Sequence, residues 1–126
     1  MKLLTLNLIL TALLVVSLNF SRTIAVEGIL KPTERVKASW YGFESCVNPD
    51  CLMANGEVFD ENEISCASRT HYGKILEISY KGKTITCPVF DKQSVNYMDR
   101  IDLSKRAFQE LIGDLDQGIA EVIVYK

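Results

Sequence analysis

The spacing of apolar residues changes along this 126-residue chain, and each change predicts a different element. Residues 3–20 are almost continuously apolar, broken by Thr5, Asn7, Thr11, Ser17 and Asn19, too dense for the one-sided face of a surface helix. Further on the runs are short. Residues 36–41 and 65–68 read as brief strands, and Asn55-Gly56 is a turn signal between them. Residues 75–80 alternate apolar and polar, Lys81-Gly82 can turn, and residues 84–90 return with β-branched and aromatic side chains, which predicts a hairpin. Pro88 has no amide donor, so it points to an edge or a bulge and not to an interior ladder position. After Ser104 the period becomes helical. Ala107, Phe108, Leu111 and Ile112 form one stripe, Ser104 can cap the start, and Leu103 with Phe108 can form a hydrophobic staple. Gly113 is placed to end the helix with positive φ, and residues 118–125 supply a closing strand.

The first apolar run has the layout of a secretory signal. Lys2 precedes it, and Thr23-Ile24-Ala25 offers small residues at the −3 and −1 positions of a cut. The expected division is a signal segment at 1–25, a leader at 26–35 containing Gly28 and Pro32, and one folded domain at 36–126. The alternative is an uncleaved anchor, because the run approaches membrane length. Membrane contact is expected through this segment alone, and the absence of a Cys near its end removes the usual site for a lipid anchor. The protein recovered outside the cytoplasm should therefore begin at Val26. Its intact mass checks this, and a full-length, membrane-bound species would establish the anchor instead.

Composition narrows the partners. Without residues 1–25 the chain keeps twelve basic and sixteen acidic residues, a net charge of −4, which argues against nucleic acid. About a hundred residues can form one modest core, and a monomer is expected. Cys46, Cys51, Cys66 and Cys87 make an even set, as in small exported domains stapled by disulfides. Four cysteines allow three pairings. The favoured one is Cys46–Cys51, closing a tight loop around Val47-Asn48-Pro49-Asp50, with Cys66–Cys87, whose strand parity lets both face inward. The rival is a zinc site using these thiols and His71. Without a CxxC pair in an oxidising compartment, no metal and no cofactor are expected.

Three patches then carry a family resemblance: Ala38-Ser39-Trp40-Tyr41-Gly42, Met53-Ala54-Asn55-Gly56-Glu57-Val58-Phe59-Asp60, and Asp99-Arg100-Ile101-Asp102-Leu103-Ser104. In this order they resemble the rare lipoprotein A-like family, which is related to expansins, and the likeness covers residues 36–126. It implies a mainly β fold, a six-stranded double-psi β-barrel with one short helix. It also implies a secreted, periplasmic or cell-envelope protein that meets peptidoglycan or a related polysaccharide. The activity implied is lytic transglycosylation of glycan strands, with a non-catalytic wall-loosening or polysaccharide-binding domain, or a secreted protein-binding module, as alternatives.

Glycosidic cleavage needs one carboxylic acid to protonate the leaving oxygen and a second group to deprotonate a nucleophile or steady the cationic transition state. The candidates are Asp91, at the end of the apolar strand and matching the family's strand-end aspartate; Asp102, in the arginine–isoleucine–aspartate–leucine–serine patch; and Glu57, after the Asn55-Gly56 turn. Each has a plainer alternative: a solvated turn residue, an acid ordering a helix start, and an exposed turn glutamate, respectively. Tyr41, Ser68 and His71 are the expected substrate-binding residues. Trp40 or Tyr41 can stack on a sugar face, and being adjacent they should point to opposite sides. The chain departs from the family where Ser68 replaces the usual histidine, and where Lys92-Gln93-Ser94 follows Asp91 in place of arginine–glycine–proline.

Overall fold

The computed structural model describes residues 32–126, so the expected signal segment and the part of the expected leader up to Lys31 lie outside the described residues. Among the described residues there are six strands: β1 (Thr33–Tyr41), β2 (Cys66–Ala67), β3 (Ile75–Tyr80), β4 (Lys83–Asp91), β5 (Arg100–Ser104) and β6 (Ala120–Tyr125). One α-helix, α1 (Lys105–Leu111), follows β5 directly. The strands close into a barrel in the order β1-β5-β2-β4-β3-β6. The β1/β5 and β2/β4 pairs are parallel and the remaining pairs antiparallel. This is the expected closed six-stranded barrel with one short helix.

Strand alternation fills the interior. Leu76 and Ile78 of β3, Ile85, Cys87 and Val89 of β4, Ile101 and Leu103 of β5, and Val122 and Val124 of β6 all project into one core, where α1 adds Ala107, Phe108 and Leu111. The Cys66–Cys87 disulfide lies within this core, with Cα atoms 6.1 Å apart, and Cys46–Cys51 closes the outer loop at 5.2 Å. The cysteines thus carry the favoured pairing.

β1 begins three residues before its apolar pattern does, because Thr33, Glu34 and Arg35 pair with Tyr125, Val124 and Ile123 of β6. Glu34 hides this extension from a hydrophobicity pattern: it is half-buried, and Lys126 and His71 hold its carboxylate at 3.1 and 3.4 Å. The hairpin turns where expected, with both Lys81 (φ 46°) and Gly82 (φ 81°) in the positive-φ region that two-residue hairpin loops demand. Pro88 is accommodated next to an irregularity. The Val89 amide donates to Lys74 O on the β3 side, so the donor missing from Pro88 would have faced β2, beside the register shift between Cys66 and Ala67.

Ser104 joins helix and barrel. Its hydroxyl accepts from the Ala107 amide, capping α1, accepts from the Ser65 amide and donates to Glu63 O at 2.6 Å. Gly113, with φ 95°, ends the helix and donates to Phe108 O. Trp40 is half-buried against the core and its indole donates to Leu115 O at 3.0 Å, whereas Tyr41 faces the site described next.

Candidate functional site

Parity places the polar groups of β1 and β5 side by side. In the parallel register Ser39 pairs with Asp102 and Lys37 with Arg100, so Ser39 and Tyr41 share one face of β1 while Arg100 and Asp102 share the matching face of β5. β4 ends on the far side of β2 at Asp91, which pairs with Ala67. An open cavity of about 530 Å³ lies over these strand ends, lined by Ser39, Tyr41, Phe59, Asp91, Lys92, Tyr97, Arg100 and Asp102 together with the Cys46–Cys51 loop.

Asp91 is oriented by backbone donors. Oδ1 accepts from the Ala54 amide at 3.0 Å and from the Lys92 amide at 2.9 Å, and the Tyr41 hydroxyl donates to Oδ2 at 3.4 Å. The Asn55-Gly56 turn presents the Ala54 donor: Gly56 takes φ 88°, and the Asn55 amide donates to Phe90 O, docking the turn on the end of β4. Tyr41 is held from behind by Phe59, whose ring stacks on it at 4.5 Å and 16°.

Asp102 sits deeper. Burial raises its carboxyl above the ordinary aspartate value of 3.8, and the nearby charge of Asp91 pushes the same way. The Ser39 hydroxyl, which donates to Oδ1, and the Arg100 guanidinium oppose that shift in part. Burial also raises the Tyr41 phenol, reinforced by the charges of Asp91 and Asp102, so Tyr41 stays a neutral donor across physiological pH. The cavity therefore holds two carboxyl groups with different partners: Asp91 accepts from the Tyr41 hydroxyl and two backbone amides, and Asp102 accepts from Ser39. Desolvation lets Asp102 keep its proton to a higher pH than an ordinary aspartate.

Of the residues singled out in the sequence, Asp91, Asp102 and Tyr41 meet in this cavity; Glu57, Ser68 and His71 do not line it. Glu57 is exposed on the far limb of the turn and contributes backbone bonds, accepting from Met53 and donating to Asn55 Oδ1. Ser68 is only 2 % exposed, and alternation from the cavity-lining Ala67 turns its side chain the other way. Its hydroxyl lies 3.1 Å from His71 Nδ1, and both line a separate cavity of about 120 Å³ beside Glu34. Neither Ser68 nor His71 thus reaches the cavity of Asp91 and Asp102.

Ser39, Arg100, Phe59 and Tyr97 escaped the sequence reading. Ser39 and Arg100 were within reach, because each stands two residues from a recognised site residue on the same strand and so shares its face. Phe59 and Tyr97 come from loops whose path a strand pattern does not specify. Among the described residues no cluster of His, Cys, Asp and Glu forms a metal-holding group.

No family model matches the sequence, and no curated protein matches it. Solved structures do. The Streptomyces papain inhibitor superimposes with a TM-score of 0.60 at 26% identity, over 75% of this chain and 93% of that one. A Clavibacter michiganensis expansin, solved as a mutant in complex with cellohexaose, gives 0.58 at 19% over 74% of this chain; the match spans about half of that longer protein, 49%. Cerato-platanin 3 from M. perniciosa gives 0.53 at 14%, over 74% and 94%. The inhibitor and the expansin are double-psi β-barrels of the rare lipoprotein A-like and expansin type, and the barrel described above has that fold.

Proposed function

We propose that this chain is an exported cell-wall protein that holds a polysaccharide strand across the Asp91–Asp102 cavity and cleaves it as a lytic transglycosylase. The observation that carries the reading is the carboxyl pair: Asp102 is half-buried and its carboxyl raised, Asp91 lines the same open cavity, and Tyr41 and Tyr97 line it too. A cavity of this size matches sites that take ligands of a few rings, and tyrosine offers an apolar face to sugar C–H groups and a hydroxyl to their oxygens. The cellohexaose bound by the similarly folded expansin supports a polysaccharide as the ligand class. The two disulfides suit an oxidising, extracellular location.

The chemistry follows from the surroundings of the two acids. Asp102 passes its proton to the glycosidic oxygen as the bond to the anomeric carbon breaks, and Asp91 steadies the cationic carbon. A hydroxyl of the same sugar then attacks that carbon and yields its proton to Asp91, leaving an anhydro end. Solvent resets both carboxyls. Arg100, two residues from Asp102 on the same face, moderates the rise of its proton affinity. Among the three carboxylates singled out in the sequence, the raised carboxyl supports Asp102 as the acid.

The test is incubation of the mature domain with intact sacculi and with stem-peptide-free glycan strands. Sedimentation with the polymer and new anhydro-sugar ends by mass spectrometry are the expected result. Sedimentation without new ends would reduce the protein to a binding module, and loss of both would overturn the glycan reading. A second reading, binding of a protein, is favoured by the likeness to the papain inhibitor, which covers nearly all of that protein.

A further inference from the structure

Residues 43–63 leave the barrel between β1 and β2 with a composition unlike the rest of the chain. They contain six acids, Glu44, Asp50, Glu57, Asp60, Glu61 and Glu63, and no Lys or Arg. Among the described residues only Glu61 of these six has a cationic partner, Lys105 at 3.9 Å. The same excursion exposes large apolar side chains: Val47 is 99 % exposed, Val58 67 % and Leu52 46 %. These are continuous, because Leu52 and Val58 oppose each other in an isolated antiparallel bridge and Val47 and Leu52 line the same cavity mouth. Single exposed apolar residues need no explanation, but a joined patch on a protruding loop does.

The loop that carries Val47 is held rigid. Cys46–Cys51 closes it, and the Cys51 amide donates to Asn48 O across a turn. The Asn48 side chain clamps the exit by accepting from the Leu52 amide at 2.9 Å and donating to Leu52 O at 3.3 Å. Phe59 fastens the loop to the body, its amide donating to Cys51 O while its ring stacks on Tyr41. A bare aliphatic side chain on a loop ordered in advance is costly for solubility and useful for binding, since little conformational entropy remains to be lost on contact.

We propose that this disulfide-braced loop is a protein-docking tip, with Val47 as the side chain that enters the substrate cleft of a papain-type cysteine protease. The proposal rests on the second reading above, the protein-binding one, and is independent of glycan cleavage. An aliphatic tip suits an apolar subsite, Asp50 within the loop and Glu44 beside it suit a cleft with a basic rim, and the closed loop resists the opening that cleavage of its backbone would require. Binding is reversible and forms no covalent bond.

The probe is papain, assayed with a small chromogenic peptide while the mature protein is titrated. Inhibition is expected, weakening as salt is raised. Val47→Asp should raise the inhibition constant by about thirty-fold or more, the scale of losing a buried aliphatic anchor. A Cys46→Ser, Cys51→Ser double variant should weaken inhibition by loosening the loop. Ile75→Asp, a comparably exposed aliphatic on β3, serves as the matched control and should inhibit like the parent. Because Val47 contacts solvent almost entirely, its replacement should leave the unfolding midpoint unchanged, and that measurement accompanies the assay. If the parent and Val47→Asp inhibit equally, the loop assignment falls while the protein-binding reading stands. If the parent does not inhibit papain at all, both fall.

Discussion

Asp102→Asn is expected to lower the rate of anhydro-end formation by about two to four orders of magnitude while sedimentation with glycan is retained. The amide preserves the size of the carboxyl and can still accept from Ser39, but it has no acidic proton to give to the leaving oxygen. The pH profile carries the same signature. Because burial raises the Asp102 carboxyl, the fraction of enzyme with the acid loaded falls as pH rises through that raised value, so the alkaline limb should lie above the ordinary aspartate range. Ser39→Ala removes a donor that favours the charged form and should move that limb further up. The linked stability effect has the same sign: with the folded value above the unfolded one, stability associated with Asp102 is fully present below the unfolded pKa and is lost as pH rises through the folded one. Asp91→Asn should also abolish cleavage, with Tyr41 losing its charged acceptor. Full rate in Asp102→Asn would place the acid elsewhere; full rate in Asp91→Asn would leave Asp102 as acid but remove its partner from the mechanism.

Phe108→Ala should destabilise the barrel by about 3–5 kcal/mol, a large share of the roughly 5–15 kcal/mol that holds a domain of this size folded. Phe108 is fully buried and is the largest completely enclosed side chain among the described residues. It fills the space between α1 and the strands, and its carbonyl also accepts from Ile112 and Gly113 at the end of the helix. Truncation therefore leaves a cavity that a closed, doubly cross-linked barrel has little freedom to collapse. Denaturant unfolding of the oxidised protein, with the midpoint falling and the slope unchanged, is the expected result. A loss under 1 kcal/mol would mean that the helix is not packed as described.

Local signals were legible because their causes are local. A two-residue turn between alternating runs specifies the β3–β4 hairpin; a serine ahead of a helical stripe and a glycine behind it bound α1 at Ser104 and Gly113. Cys66 and Cys87 could be paired because strand parity fixes which way each side chain points. The start of β1 was not legible, since residues 33–35 are polar and become a strand only through their partners on β6. Nor was the fate of Ser68 and His71. Chain distance from Asp91 says nothing about which side of β2 a side chain leaves, and one step of alternation sent them to a different cavity from Asp91 and Asp102.

The sequence by itself determined the β3–β4 hairpin, α1, the cysteine staples and the placing of Asp91 and Tyr41 at strand ends, because propensity, turn geometry and side-chain parity act over a few residues; β5, with Asp102 at its middle, became a strand only through its partners in the barrel. Only the tertiary structure decided the surroundings of those residues. The parallel register of β1 on β5 sets Ser39 against Asp102, the docking of residues 53–56 on β4 gives Asp91 the Ala54 amide as a donor, and partial burial raises the Asp102 carboxyl. Desolvation, register and the direction of backbone donors depend on distant segments of the chain meeting in space, as Ser39 and Asp102 do from 63 residues apart.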